Sequence, residues 1–305
     1  MARARATTAL SSGSRELSTR LATFERFLTR AVRERAGGPG RLGQALRYAA
    51  LSPGKRLRPL LVLTACEAVG GDWRRALPAA VAVECVHAFS LVHDDLPAMD
   101  DDDYRRGRLT THKKFGEALG VLAGDALLAF AFEELTRLRE QGVPDARVVD
   151  AVRRLGRVAG ADELVGGQAL DIAAEGRKPT PGLVRGIHTR KTGALMGASL
   201  ALGALAGDAP VRTVDTLHDV GVMLGFAFQI HDDLLNADSS LAALGKRVGT
   251  DEARGKATWP AAVGEKRARA EAAKLMRAVE TAIARTCEKP ALLEALIEAT
   301  ARRDR

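Results

Sequence analysis

Apolar residues recur every three or four positions along almost the whole chain, the period of helices that each bury one face. Leu17, Leu21, Phe24 and Leu28 mark the inner face of a first helix, which Gly37-Gly38-Pro39-Gly40 breaks. Ser52-Pro53-Gly54 makes the next turn. A long apolar helix is predicted from about Arg74 to Pro97, and another from Lys113 to Arg139, closed by Gly142 and Pro144. Lys178-Pro179-Thr180-Pro181-Gly182 turns the chain into a helix beginning near Leu183. Pro210 opens a helix that ends in a cluster of aspartates, and Leu275, Met276, Val279 and Ile283 line a late one. Long alternating β-branched runs are absent and no linker composition divides the chain. The pattern predicts one all-α domain over residues 1–305, a single-domain bundle of long helices.

Composition changes this picture little. Aromatics are only 4% of the chain, and Ala, Leu, Arg and Glu dominate, which favours helix over strand. A net charge of +8 points to anionic partners. Nucleic acid is not among them, since no aromatic residues interleave with a basic stripe. Cys66, Cys85 and Cys287 lie far apart without CxxC spacing, as expected in a reducing, cytoplasmic compartment. Residues 1–14 carry arginines and no acid, and read as a disordered tail rather than a transit peptide. The most apolar stretch, Gly193 to Gly207, is too short and too rich in Gly and Ala for a membrane span.

The candidate chemistry lies in two aspartate clusters, each preceded by histidine. The first is His93-Asp94-Asp95-Leu96-Pro97-Ala98-Met99-Asp100, and the second His231-Asp232-Asp233-Leu234-Leu235-Asn236. Crowded carboxylates repel one another unless cations neutralise them. An all-oxygen set suits a hard cation, and Mg²⁺ is commonly held by a few carboxylates together with substrate phosphates. On a continuous helix Asp100 would lie ~240° around the axis from Asp94. Pro97 predicts instead that the helix ends and Asp100 swings back. Alone, the run from Asp94 to Asp103 reads equally well as a solvated acidic loop. Gln229, Asp232 and Asp233 share one stripe of the second helix, as His87, Leu91 and Asp94 do on the first.

Phosphate-sized cations accompany these acids: Lys55, Arg58, Arg105, Arg106, Lys191, Lys246 and Lys256. GKRLRP at 54–59 opens a helix after a turn, a ready anion site. Each basic group taken singly reads as ordinary surface; acid for metal and base for phosphate together suggest a Mg²⁺–diphosphate enzyme.

Between Ala45 and Gly264 the chain resembles the short-chain trans-isoprenyl diphosphate synthases, the farnesyl and geranylgeranyl diphosphate synthase family. The resemblance rests on GKRLRP, HAFSLVHDDLPAMDDDDYRRG at 87–107, Ala123-Gly124-Asp125, Gly166-Gly167-Gln168, Lys191-Thr192-Gly193, FQIHDDLL at 228–235 and LGKRVGTDEARGKATWP at 244–260. It implies a helical bundle around a deep central cavity, a homodimer, and head-to-tail joining of an allylic diphosphate to isopentenyl diphosphate. It implies Mg²⁺, three ions per site, with Asp94, Asp95 and Asp100 as the first metal motif and Asp232 and Asp233 as the second. Arg105, Lys191, Thr192, Gln229, Lys246 and Lys256 match positions that hold the allylic diphosphate or complete its site. Lys55, Arg58, His87 and Arg106 match the isopentenyl diphosphate pocket. Asp94, Asp100, Asp232, Lys191 and Arg105 are the expected catalytic set, and no protein general base is expected.

Product length is expected to depend on the residues one helical turn before Asp94, because a turn advances ~5.4 Å, about one isoprene unit. Ser90 is small and Phe89 large, so Phe89 is the expected floor. An aromatic there, with four residues between Asp95 and Asp100, resembles the bacterial farnesyl type of the family, and that resemblance implies (2E,6E)-farnesyl diphosphate as the main product, ahead of geranylgeranyl and geranyl diphosphate. One residue departs from the family pattern: Asn236 stands where the second motif usually ends in aspartate. Asp238 is a weak substitute, and His231 is expected to support the site rather than bind metal. Rival readings are an HD-type phosphohydrolase, which leaves the cationic clusters unemployed, and a class I terpene cyclase, which needs no isopentenyl diphosphate pocket. A non-catalytic partner subunit is the third, against which the retained aspartates argue.

Overall fold

The structure is a computed structural model. It describes the backbone of residues 2–36, 38, 40–242 and 256–302, with side chains from 13 to 236 (37 and 39 apart) and from 256 to 300. Among the described residues the only strands are β1 (Tyr104–Arg105) and β2 (Arg108–Leu109), one antiparallel hairpin. The rest is helix and connecting loop, as the apolar periodicity predicts.

Helix α1 (Ala2–Arg35) contains the stretch expected as a tail, and buries Phe24 and Leu28 completely. It is followed by α2 (Arg41–Ala50) and α3 (Leu57–Ala68). Arg56, at the start of α3, has φ +49°, a left-handed conformation costly for a residue with a Cβ. Its guanidinium explains how the turn is held: Nε donates to Glu25 on α1 at 2.8 Å and Nη1 to buried Glu84 at 2.5 Å.

Helix α4 (Leu77–Asp94) is the core of the bundle and carries Glu84. A single 3-10 turn, Trp73–Ala76, precedes it, so it starts later than predicted. With that turn it is the one described helix long and apolar enough to cross a membrane, but it lies 78% buried inside the protein. The expected helix over 113–139 is divided into α5 (Thr111–Phe115) and α6 (Glu117–Thr136) by Gly116, whose φ of +96° no helix tolerates.

Next come α7 (Asp145–Ala159), α8 (Leu164–Ala174) and α9 (Pro181–Ile187). Thr180 caps α9 by accepting from Leu183 N, with Pro181 in the first turn. A π-helical segment, His188–Gly193, leads into α10 (Ala194–Ala206), which is buried along its whole length. Helix α11 (Val211–Ala242) continues past the second aspartates, where the sequence pattern ended it. Its contact with the π-helical segment is close, because a Cβ at Gly225 would lie 2.5 Å from Gly193 Cα. Small residues permit that approach, and it sets Lys191-Thr192 beside Gln229. Helices α12 (Trp259–Val263), α13 (Glu265–Thr286) and α14 (Ala291–Arg302) close the bundle.

Candidate active site

The first aspartate motif straddles the end of α4. Asp95 is the C-terminal cap, and the chain turns back so that Asp100 N donates to Asp94 O at 2.8 Å. This is the return predicted from Pro97. Burial pushes the Asp94 carboxyl up to about 6; the Asp100 charge adds to the shift, while Lys191, Arg105 and Lys256 oppose it. Lys256 Nζ lies 3.1 Å from Asp100 Oδ1. Asp95 is buried and its Oδ1 accepts from Arg105 Nε at 2.6 Å.

The second motif lies on α11. Asp232 is half-buried, and its charge helps to keep Arg58 protonated. Asp233 is buried, with both oxygens engaged: Oδ2 accepts from Trp259 N at 2.7 Å and Oδ1 from Gln229 Nε2 at 3.3 Å. His188 Nε2 lies 3.5 Å from Oδ2, and burial lowers that imidazole to about 4, so it is neutral near pH 7. Asp233 thus fastens the start of α12 to α11, and the same strand of chain delivers Lys256 to Asp100. Gln229 Oε1 in turn accepts from Thr192 Oγ1 at 3.0 Å. Asn236 is exposed. Lys246 and the Asp238 side chain lie outside the described residues.

The π-helical segment carries Lys191, whose Nζ donates to Asp171 Oδ2 at 2.7 Å. Burial alone would lower this ammonium; Asp171 and Asp94 hold it above its ordinary value. Asp171 went unnoticed in the sequence, although it lies three residues beyond Gln168 on the same helix face.

A second cationic group surrounds His87. Arg58 Nη1 is 3.4 Å from His87 Nε2, and Arg58 Nε is buried without a hydrogen-bond partner. Burial, with Arg58, Arg106 and Arg105 nearby, drives His87 well below its ordinary value, so the imidazole is neutral. Burial, reinforced by Arg106, lowers Arg58 too. Arg106 Nη1 donates to Pro53 O at 2.5 Å, crossing over Gly54, where a Cβ would meet it. Lys55 stands exposed at the edge of this group. So concentrated a positive field, with an unmet buried donor, suits an anion.

A cavity of about 320 Å³ lies between Asp94 of the first motif, the Arg58–His87 group and the Lys191 segment, at the low end of the usual size of small-ligand sites. Its polar lining includes Asp94, Arg58, His87, Gln168, Lys191 and Thr192, and its apolar lining Phe89, Leu164, Val165, Ile172 and Leu195. Ser90 lies on the same wall as Phe89. Leu164 is four residues before Gln168 and Leu195 four after Lys191, so three helices each place apolar bulk about one turn from a polar group.

Residues 39–299 match the profile of the polyprenyl synthetase family. Over 237 residues the chain is 43% identical to a farnesyl diphosphate synthase of Geobacillus stearothermophilus, covering 78% of this chain and 80% of that one. Over 262 residues it is 45% identical to the chloroplastic geranylgeranyl pyrophosphate synthase 11 of Arabidopsis thaliana, covering 85% and 73%. Its fold superposes on an FPP/GFPP synthase from Zymomonas mobilis with a TM-score of 0.83 and 34% identity, covering 94% and 99%. A geranyltranstransferase from Thermotoga maritima gives a TM-score of 0.78 at 29% identity, covering 95% and 98%. The fold is that of the isoprenoid synthases. The chain belongs to the polyprenyl synthetase family and is a short-chain prenyltransferase of the farnesyl/geranylgeranyl diphosphate synthase group.

Proposed function

We propose that this chain condenses isopentenyl diphosphate head-to-tail with dimethylallyl and geranyl diphosphate, depends on Mg²⁺, and makes mainly (2E,6E)-farnesyl diphosphate. The observation that carries the product assignment is Phe89, buried on α4 about one turn from Asp94 and lining the cavity.

The residues present fit Mg²⁺. Among the described residues no three acidic, histidine or cysteine side chains form a metal site by themselves. That is the usual situation for Mg²⁺, which takes one or two carboxylates and completes its shell with substrate phosphates and water. Asp94 is held near 6 by burial beside another carboxylate, a strain that a divalent cation relieves. Asp94 and Asp100 of the first motif and Asp232 of the second would each hold Mg²⁺, one or two carboxylates per ion, together with the substrate diphosphate. Asp95 and Asp233, expected as ligands too, already serve Arg105 and the start of α12, and brace the two motifs. Bound there, Mg²⁺ supplies charge neutralisation for the departing diphosphate.

Lys191, Arg105 and Lys256 add charge-assisted donors on the allylic side, with Thr192 and Gln229 completing the pocket; Lys246 joins this set by resemblance. As the allylic C–O bond breaks, its electron pair leaves with the diphosphate. Arg58, Lys55, His87 and Arg106 hold the isopentenyl diphosphate, whose double bond supplies the pair for the new C–C bond. The proton then lost passes to the released diphosphate. The apolar cavity walls exclude water from the cation.

Helix α6 leaves Val121 42% and Leu122 49% exposed on one flank, an apolar strip that a second copy would cover in a homodimer. A cytoplasmic location accords with the unpaired cysteines. Geranylgeranyl diphosphate is the second reading, favoured by small Ser90 beside Phe89. Chromatography of dephosphorylated products tests the assignment: mostly fifteen-carbon alcohol is expected, with longer product from Phe89→Ala. Mostly twenty-carbon alcohol from the unaltered enzyme would overturn it.

A further inference from the structure

The wall formed by Phe89 is itself held from behind. The Phe89 ring meets the His93 imidazole edge-on, with centroids 5.1 Å apart and planes at 80°. They are i and i+4 on α4, and both line the cavity. His93 Nε2 lies 3.0 Å from Val121 O on α6. A carbonyl only accepts, so Nε2 carries the proton and donates it. The ring reaches that carbonyl because position 124 has no side chain. A Cβ on Gly124 would lie 2.0 Å from His93 Nε2 and 2.3 Å from Cδ2.

We propose that Gly124 is a specificity-determining position of the prenyl transfer: it admits the His93 ring against α6, and His93 then fixes Phe89 across the path of the growing tail. The inference rests on Phe89 being the floor. Phe89 by itself is a side chain with alternative rotamers, and a floor that swings aside does not limit length. The imidazole, anchored to one helix and packed against the next ring, removes that freedom. Gly124 does not itself line the cavity; it acts through His93 and is a positioning residue.

The two ends of this relay have effects of opposite sign. Gly124→Ala must carry the His93 ring from 2.0 Å to beyond 3.0 Å from the new methyl. The hydrogen bond to Val121 breaks, and the ring is driven away from α6 toward Phe89 and the cavity, so the tail has less room. His93→Ala empties the space beside Gly124, into which Phe89 can turn, so the tail has more. One methylene in an apolar pocket changes discrimination by roughly tenfold, and a change of about that size in product ratio is expected.

The test is product chromatography of four purified enzymes, wild type, Gly124→Ala, His93→Ala and the double variant, with Phe89→Ala as reference. Gly124→Ala is expected to shift product toward ten carbons and His93→Ala toward twenty, and the double variant to match His93→Ala. An unchanged or lengthened product in Gly124→Ala, or a shortening that persists without the imidazole, overturns the relay. Should Gly124→Ala fail to fold, His93→Ala decides alone, and unchanged product length there overturns it. If Phe89→Ala also leaves product length unaltered, the floor assignment has failed; if it lengthens product while His93→Ala does not, only the relay has.

Discussion

Lys256 and Asp100 meet at 3.1 Å across 156 positions of sequence. The ammonium ties the return loop of the first aspartate motif to the chain that Asp233 anchors on α11 through Trp259. The two aspartate motifs are therefore tied together through one short stretch, 256–259.

The first prediction concerns the metal. Asp94→Ala and Asp232→Ala should each lower kcat by orders of magnitude, because each removes a carboxylate that neutralises the leaving group through Mg²⁺. Near-normal turnover in either variant, or full activity in excess chelator, would refute the role.

The cationic groups should separate by substrate. Arg58→Ala and Lys55→Ala are expected to raise the KM for isopentenyl diphosphate more than that for the allylic partner, and Lys191→Ala to do the reverse. Arg58, with its unpartnered buried Nε, should show the larger effect of the first pair, and exposed Lys55 the smaller. Steady-state titration of each substrate decides this, and equal effects on both KM values contradict it.

Asn236 is expected to weaken metal binding without abolishing activity. Asn236→Asp adds a carboxylate to the second motif and should lower the Mg²⁺ concentration giving half-maximal rate. An unchanged or raised midpoint in a Mg²⁺ titration would place the position outside the working site.

Arg56 belongs to the same GKRLRP run as Lys55 and Arg58 but has a different task. Its side chain is 4% exposed and Glu84's is 5%, so Arg56→Ala leaves a buried carboxylate unpaired. The expected cost is about 3–5 kcal/mol, and Glu84→Gln in the same chain should recover part of it. Denaturant unfolding measures both, and a loss below about 1 kcal/mol would show the pair to be dispensable.

The acidic motifs, the cationic groups and the helical class were legible because they rest on local rules. Period, Pro and Gly placement, and residue type operate within a few positions. Even the return of Asp100 followed from one proline. Other features were not legible. Gly116 was read through as helix, because a tolerated interior glycine and one at φ +96° look the same in sequence. Arg56 and Asp171 passed without a role, although one pins a strained turn and the other holds Lys191. Asp95 and Asp233 looked equivalent to their neighbours, yet adjacent residues on a helix point ~100° apart and meet different partners.

By itself, then, the sequence determined the helical architecture, the diphosphate chemistry and the family. Those are encoded in residue types at short spacing, where bonding geometry leaves few alternatives. The tertiary structure alone decided which partners each aspartate meets, Arg105 for Asp95, Lys256 for Asp100 and Trp259 for Asp233, and what stands behind Phe89. Such roles depend on partners as distant as Trp259 from Asp233, or Gly124 from His93. Only packing of α6 on α4 and of α12 on α11 makes them neighbours, and that packing is a property of the whole chain.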